Sequence, residues 1–178
     1  MTTDQLATTE LDGACGPDGG CAITAVHGAR IGQPAMVVPG AMAGLQAVSA
    51  AIAATGIEPR TLALVNLRAS QVNACGVCLA GDLKAARQHG ISDEELIVVA
   101  GWREAPYFSG PERAALALTE AVTRLADRTD PVPDDVWDAA ARHYDEVQLA
   151  ALVLAIANIN VWNRLNVATR QVAGTYEW

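Results

Sequence analysis

The chain has 178 residues, enough for one core, and 51% of them are hydrophobic although only 4% are aromatic. A net charge of −8 and a pI near 4.7 argue against nucleic acid and anionic membrane surfaces as partners. The longest apolar run, Leu149 to Ala157, is nine residues, too short to span a bilayer. Met1 to Glu10 carries neither a basic n-region nor an apolar h-region, so a cytoplasmic location is expected.

Residues 1–28 differ from the rest. They hold no Lys or Arg, four acidic residues and the Gly-rich stretch from Gly13 to Cys21. That composition predicts a flexible acidic arm carrying Cys15, Cys21 and His27, followed by a helical domain over residues 29–178. Met42, Leu45, Val48 and Ile52 recur at helical spacing after Pro39-Gly40, and Gly56 is a natural stop. Pro59 suits the first turn of the next helix, which places Leu62, Val65, Ala69 and Val72 on one face. A helix then runs from the Cys75/Cys78 pair to His89-Gly90. Ser92-Asp-Glu-Glu95 and Ser109-Gly-Pro-Glu112 are capping boxes that open helices ending near Trp102 and Ala126. Further helices are expected from Pro131 through Tyr144 and from about Glu146 to Val167. No segment alternates as a strand does, so the fold class is all-α.

Cys75-Gly76-Val77-Cys78 is the chemical centre of the sequence. Cβ atoms three residues apart on a helix are ~5–6 Å apart, and a small adjustment brings them within disulfide range. Two thiols able to open and close a bond suggest two-electron chemistry. A helix N-terminus beside them lowers a thiol pKa. Cys15 and Cys21 add a C-x5-C to this C-x2-C, which leaves a four-thiolate zinc site as a competing reading. The irregular spacing argues against a metal; the arm cysteines are expected as free thiols or as a disulfide of their own, with exchange with Cys75 or Cys78 as a further option. No P-loop, Rossmann fingerprint, HExxH or GxSxG is present, so no cofactor is expected.

The segment Val65–Leu79 around this pair resembles the carboxymuconolactone decarboxylase and alkylhydroperoxidase D-like family. The resemblance continues through Ala100–Phe108, Glu112–Glu120 and Leu154–Leu165. It implies an alkylhydroperoxidase D-like helical bundle that assembles as a homo-oligomer, a trimer or a multiple of one. It also implies a thiol oxidoreductase that reduces a peroxide or exchanges a disulfide and is reset by an external dithiol. Peroxidase members carry Glu…Cys-x-x-Cys-x-x-x-His, with the second Cys attacking, the first resolving, and the His and Glu relaying protons. By position, Cys78 is the attacking thiol and Cys75 its resolving partner. The His position falls on Asp82, and the Glu position falls on or near Ala63.

That departure has a physical cost. An ionised Asp82 one helical turn beyond Cys78 would raise the thiol pKa, so a weakened activity is expected. Asp82 would serve as a base only if burial raised its own pKa; otherwise it bonds locally or faces solvent. His89, His143, His27 and Glu58 read as surface or cap residues. Ser70, Gln71 and Asn73 either shape the helix junction or hold an oxygen of the substrate. Trp102, Trp137 and Trp162 read as core or interface, and Arg68 and Arg164 as partners of acidic side chains. The alternatives are a lyase acting on carboxylated lactones without thiol chemistry, and a non-catalytic redox sensor or scaffold.

Overall fold

Helix-start chemistry sets the element order. The computed structural model describes residues 28–176, and among them every regular element is helical. These are α1 (Pro34–Val37), α2 (Ala41–Ala53), α3 (Pro59–Val72), α4 (Gly76–Gln88), α5 (Asp93–Val98), α6 (Gly110–Thr123), α7 (Asp134–Ala141) and α8 (Glu146–Ala168). Pro59 is the first residue of α3, as its fixed φ favours. Ser92 with Glu95, Ser109 with Glu112, and Asp145 with Gln148 form reciprocal capping boxes at α5, α6 and α8. Two of these helices end earlier than the apolar period suggests. After Val98 and Thr123 the backbone tightens into 3₁₀ turns over Val99–Gly101 and Leu125–Asp127. Helix α7 is also shorter than expected, starting after Pro133 and stopping at Ala141. The acidic arm with Cys15, Cys21 and His27 lies outside the described residues.

Helix α3 is the hub, packed against α4, α6 and α8. Its apolar positions feed two cores. Val65 joins Leu118, Leu152 and Ile156 between α3, α6 and α8, while Leu64 and Leu67 join Ala86, Ile91, Leu96, Val99 and Leu116 on the α4–α5 side. Each fully buried Leu, Ile or Val there contributes about 1.5–3 kcal/mol. Arg68 holds α3 to α6 through Glu120 (2.7 Å), which also accepts from Trp102 Nε1 at 2.9 Å and pairs with Arg103 at 2.8 Å. Trp102 is therefore a core residue with its indole N–H satisfied, whereas Trp137 is 40% exposed.

Helix α8 departs from the sequence expectation. Its 23 residues meet the length and hydropathy criteria for a membrane span, although the longest uninterrupted apolar run is short. In the fold it packs against α2, α3 and α6, and Asn160, Asn163 and Asn166 on it are buried. Helix α2 is the opposite case. Only Ile52 of its expected apolar face is buried, while Met42, Leu45 and Val48 are half-exposed, since among the described residues α2 packs chiefly against α8.

Candidate active site

The turn between α3 and α4 builds the thiol site. Helix α3 closes with paired bonds from Cys75 N to Ser70 O (3.1 Å) and from Ala74 N to Gln71 O (3.2 Å), which places Ala74 in the left-handed region at φ 51°. An alanine there costs about 1–2 kcal/mol that glycine would not. The turn delivers Cys75 as the N-cap of α4, with its Sγ accepting from Cys78 N at 3.4 Å. The pair thus straddles a helix start, as the sequence suggested, but Cys75 stands just outside the helix. Both cysteines are buried thiols without a disulfide.

The two sulfurs are unlike each other. The Cys75 thiol donates to Cys78 and, with Asn166, Asn163 and Ser70, outweighs burial to hold Cys78 down at about 6. Asn166 Nδ2 lies 3.3 Å from Cys78 Sγ. Cys75 is pushed the other way, chiefly because it gives its proton to that bond and further because it is buried. Cys78 is the thiolate of the pair and Cys75 keeps its proton.

Cys78 opens on a cavity of about 300 Å³. Asn66 of α3, Gly81 and Asp82 of α4, Met42 and Ser49 of α2, and Ile159, Trp162 and Asn166 of α8 are among its walls. Asp82 accepts from Ser70 Oγ at 2.6 Å. Burial, opposed by the Ser70 bond and reinforced by the nearby Cys78 charge, raises its carboxyl to about 7. The local hydrogen bond and the raised pKa therefore occur together. With the Cys78 thiol held down and the Asp82 carboxyl held up, a thiolate beside a protonated carboxyl becomes accessible near neutral pH, and the repulsion expected of an ionised Asp82 is reduced.

The other candidates fall elsewhere. His89 caps α4 at the surface, His143 is exposed beside Gly110, and Glu58 is exposed at the start of α3; none of them lines the cavity. Gln71 accepts from Arg68 at 2.9 Å. Among the described residues Arg164 reaches no carboxylate and instead donates to the carbonyl and side-chain oxygen of Asn160 at 3.0 and 2.9 Å. Ala63 is buried among Leu64, Leu67 and Leu96, an apolar cluster that has no place for a carboxylate. Ala63→Glu is therefore expected to destabilise the fold by about 3 kcal/mol or more, read as a lower midpoint in chemical denaturation.

Asn73 shapes the helix junction, one of its two expected roles, but its buried amide partners Asn160 and Asn163, and Asn166 with Gln33, were missed from the sequence. Asn73 Nδ2 donates to Asn160 (2.9 Å) and Asn163 (2.7 Å), Asn163 Nδ2 donates to Ser70 Oγ at 3.0 Å, and Gln33 Nε2 donates to Asn166 Oδ1 at 3.4 Å. Helix α8 thus presents its Asn face to the thiol turn. The signal was there: Asn160, Asn163 and Asn166 recur every three residues on an apolar helix, and buried amides require partners.

A family model described as the carboxymuconolactone decarboxylase family matches residues 39–121. The chain is 35% identical over 114 residues to the uncharacterised protein YdfG of Bacillus subtilis, covering 64% of this chain and 76% of that one. It is 36% identical over 114 residues to the uncharacterised protein YnjA of Escherichia coli, spanning 60% of that protein's length and 63% of its own. A crystal structure from Agrobacterium tumefaciens, of a protein of unknown function proposed to be the antioxidant defence protein AhpD, superposes with a TM-score of 0.75 at 31% identity, covering 83% of this chain and 99% of that one. The debrominase Bmp8 shares the fold at a TM-score of 0.68 and 19% identity, covering 77% of this chain and 73% of its own.

Proposed function

The chain belongs to the carboxymuconolactone decarboxylase family, and within that family we propose that it is a thiol-dependent oxidoreductase that reduces hydroperoxides through Cys78 and Cys75. The observation that carries this reading is the pairing of a stabilised Cys78 thiolate with a proton-bearing Asp82 on one cavity. Cys78 S⁻ attacks the outer oxygen of the hydroperoxide, the O–O bond breaks, and Cys78 becomes a sulfenic acid. The departing alkoxide takes the Asp82 proton and leaves as the alcohol. Cys75 then attacks the Cys78 sulfur, the S–O bond breaks, and its proton leaves with the hydroxyl as water. An external dithiol reduces the resulting disulfide, returning one proton to Cys75 and one, through Cys78, to Asp82.

In this reading Asp82 takes the role that His fills in peroxidase relatives, with Ser70 and Asn163 orienting it in place of the Glu. The same cavity counts against the lyase alternative. Among the described residues no Lys, Arg or His lines it, so a carboxylated lactone would meet the Cys78 thiolate without a cation. A homo-oligomer, a trimer or a multiple of one, belongs to the same proposal, and the exposed Met36 (57%), Val37 (61%) and Val38 (55%) support self-association. The test of function is hydroperoxide consumption with dithiothreitol as reductant. Catalytic turnover that scales with protein is expected. A protein that consumes no hydroperoxide under these conditions is not the enzyme proposed.

A further inference from the structure

The donor that faces Cys78 is set by residues on both sides of the family-matched segment. Gln33 and Asn166 lie outside residues 39–121, and each is 2% exposed. An amide can turn either end toward a neighbour, so its orientation needs a fixed reference. The backbone supplies one here. Ala35 N donates to Gln33 Oε1 at 2.5 Å, as the first turn of α1 requires. That leaves Gln33 Nε2 as the end facing Asn166, where it donates to Oδ1 at 3.4 Å. Asn166 must then present Nδ2 to the sulfur, at 3.3 Å. With the Asn166 amide reversed, two N–H groups would face each other, and a carbonyl would face the thiolate.

We propose that Gln33 is a positioning residue for Cys78: acting through Asn166, it keeps an N–H donor rather than a carbonyl oxygen against the attacking sulfur. The segment that holds Gln33 is itself tied to the end of α8. Arg30 N donates to Thr169 O (2.9 Å), Arg30 Nη1 to Ala168 O (3.0 Å), and Gln171 Nε2 to Ile31 O (3.0 Å). Gln171 N donates to Asn166 O at 2.9 Å, so the C-terminal segment seats the same residue from behind. The two ends of the domain thus meet at the thiolate, and the α3–α4 turn alone does not define it.

This inference deepens the thiol reading and rests on Cys78 being the attacking sulfur. Its test uses iodoacetamide, which reads the thiolate without any peroxide. The rate of Cys78 alkylation is followed by peptide mass spectrometry from pH 4.5 to 9. Among the described residues, Cys75 and Asp82 are the titratable groups that interact with Cys78 and Tyr176 packs on the same cluster; none of the three is substituted in any variant. Asn166→Leu removes the donor and is expected to raise the midpoint by about one pH unit, making alkylation about tenfold slower below that midpoint. Gln33→Met keeps the length of the side chain and adds no charge. It is expected to slow alkylation about threefold in the native background and to have no further effect in Asn166→Leu. A folded Gln33→Met with an unchanged midpoint, or an equal shift in both backgrounds, overturns the proposal. A second measurement needs no variant: in the native protein, the Asn166 side-chain amide resonances are expected to move with the Cys78 titration. Resonances that stay still through that titration overturn it equally.

Discussion

Cys78→Ser is expected to lower hydroperoxide turnover by about 10³-fold or more, because the hydroxyl is a poor nucleophile at neutral pH and nothing else in the cavity replaces it. Cys75→Ser should fail differently. Serine at the N-cap can still donate to the Cys78 sulfur, so the first oxidation should stay within about tenfold of native. Turnover should nevertheless stop, with Cys78 held as a sulfenic acid that a 1,3-dione reagent traps. The contrast is read by stopped-flow for the first step and by dithiothreitol-coupled consumption for the cycle. Equal loss in both steps for Cys75→Ser would mean that Cys75, not Cys78, is the sulfur that attacks the hydroperoxide.

Asp82→Asn is expected to slow the first oxidation by about 10²-fold, the usual scale for a lost general acid. The pH profile carries the more specific signature. In the native protein the reactive form has Cys78 ionised, near and above about pH 6, and Asp82 protonated, near and below about pH 7. The rate should therefore peak between these values, and the falling limb should vanish in Asp82→Asn. Stability should move in the opposite direction. The folded carboxyl is raised above its unfolded value of ~3.9, so its ionised form opposes folding above about pH 7 and has no such effect below about pH 4. Asp82→Asn should thus be more stable than native at pH 8, by about 1–3 kcal/mol, and equal to it at pH 4. The Ser70 bond survives in the variant because the amide oxygen still accepts.

The helical plan was legible because its signals are local. Pro59 and the Ser92 and Ser109 boxes act within one turn of themselves, and all three open the helices they announced. The ends of α5 and α6 were less legible, since apolar residues continue into the 3₁₀ turns and periodicity alone does not register the tighter backbone. At the site, Cys75, Cys78 and Asp82 sit together because eight residues and one helix start connect them. The Asn160, Asn163, Asn166 spacing marked a polar stripe on α8, but the link from Gln33 through Asn166 to Cys78 was not legible, because it runs through tertiary packing across 133 and 88 residues of chain. The proton state of Asp82 was out of reach for the same reason: the walls that desolvate it come from α2, α3 and α8, which its own sequence neighbourhood does not contain.

The most direct test is the fate of the two sulfurs after one equivalent of a hydroperoxide. The tryptic peptide spanning residues 69–84 contains both Cys75 and Cys78, and its mass can be measured after alkylation. The mechanism predicts a loss of two hydrogens and no alkyl groups on that peptide, reversed by dithiothreitol. A peptide that is still doubly alkylated after exposure to the hydroperoxide would contradict it.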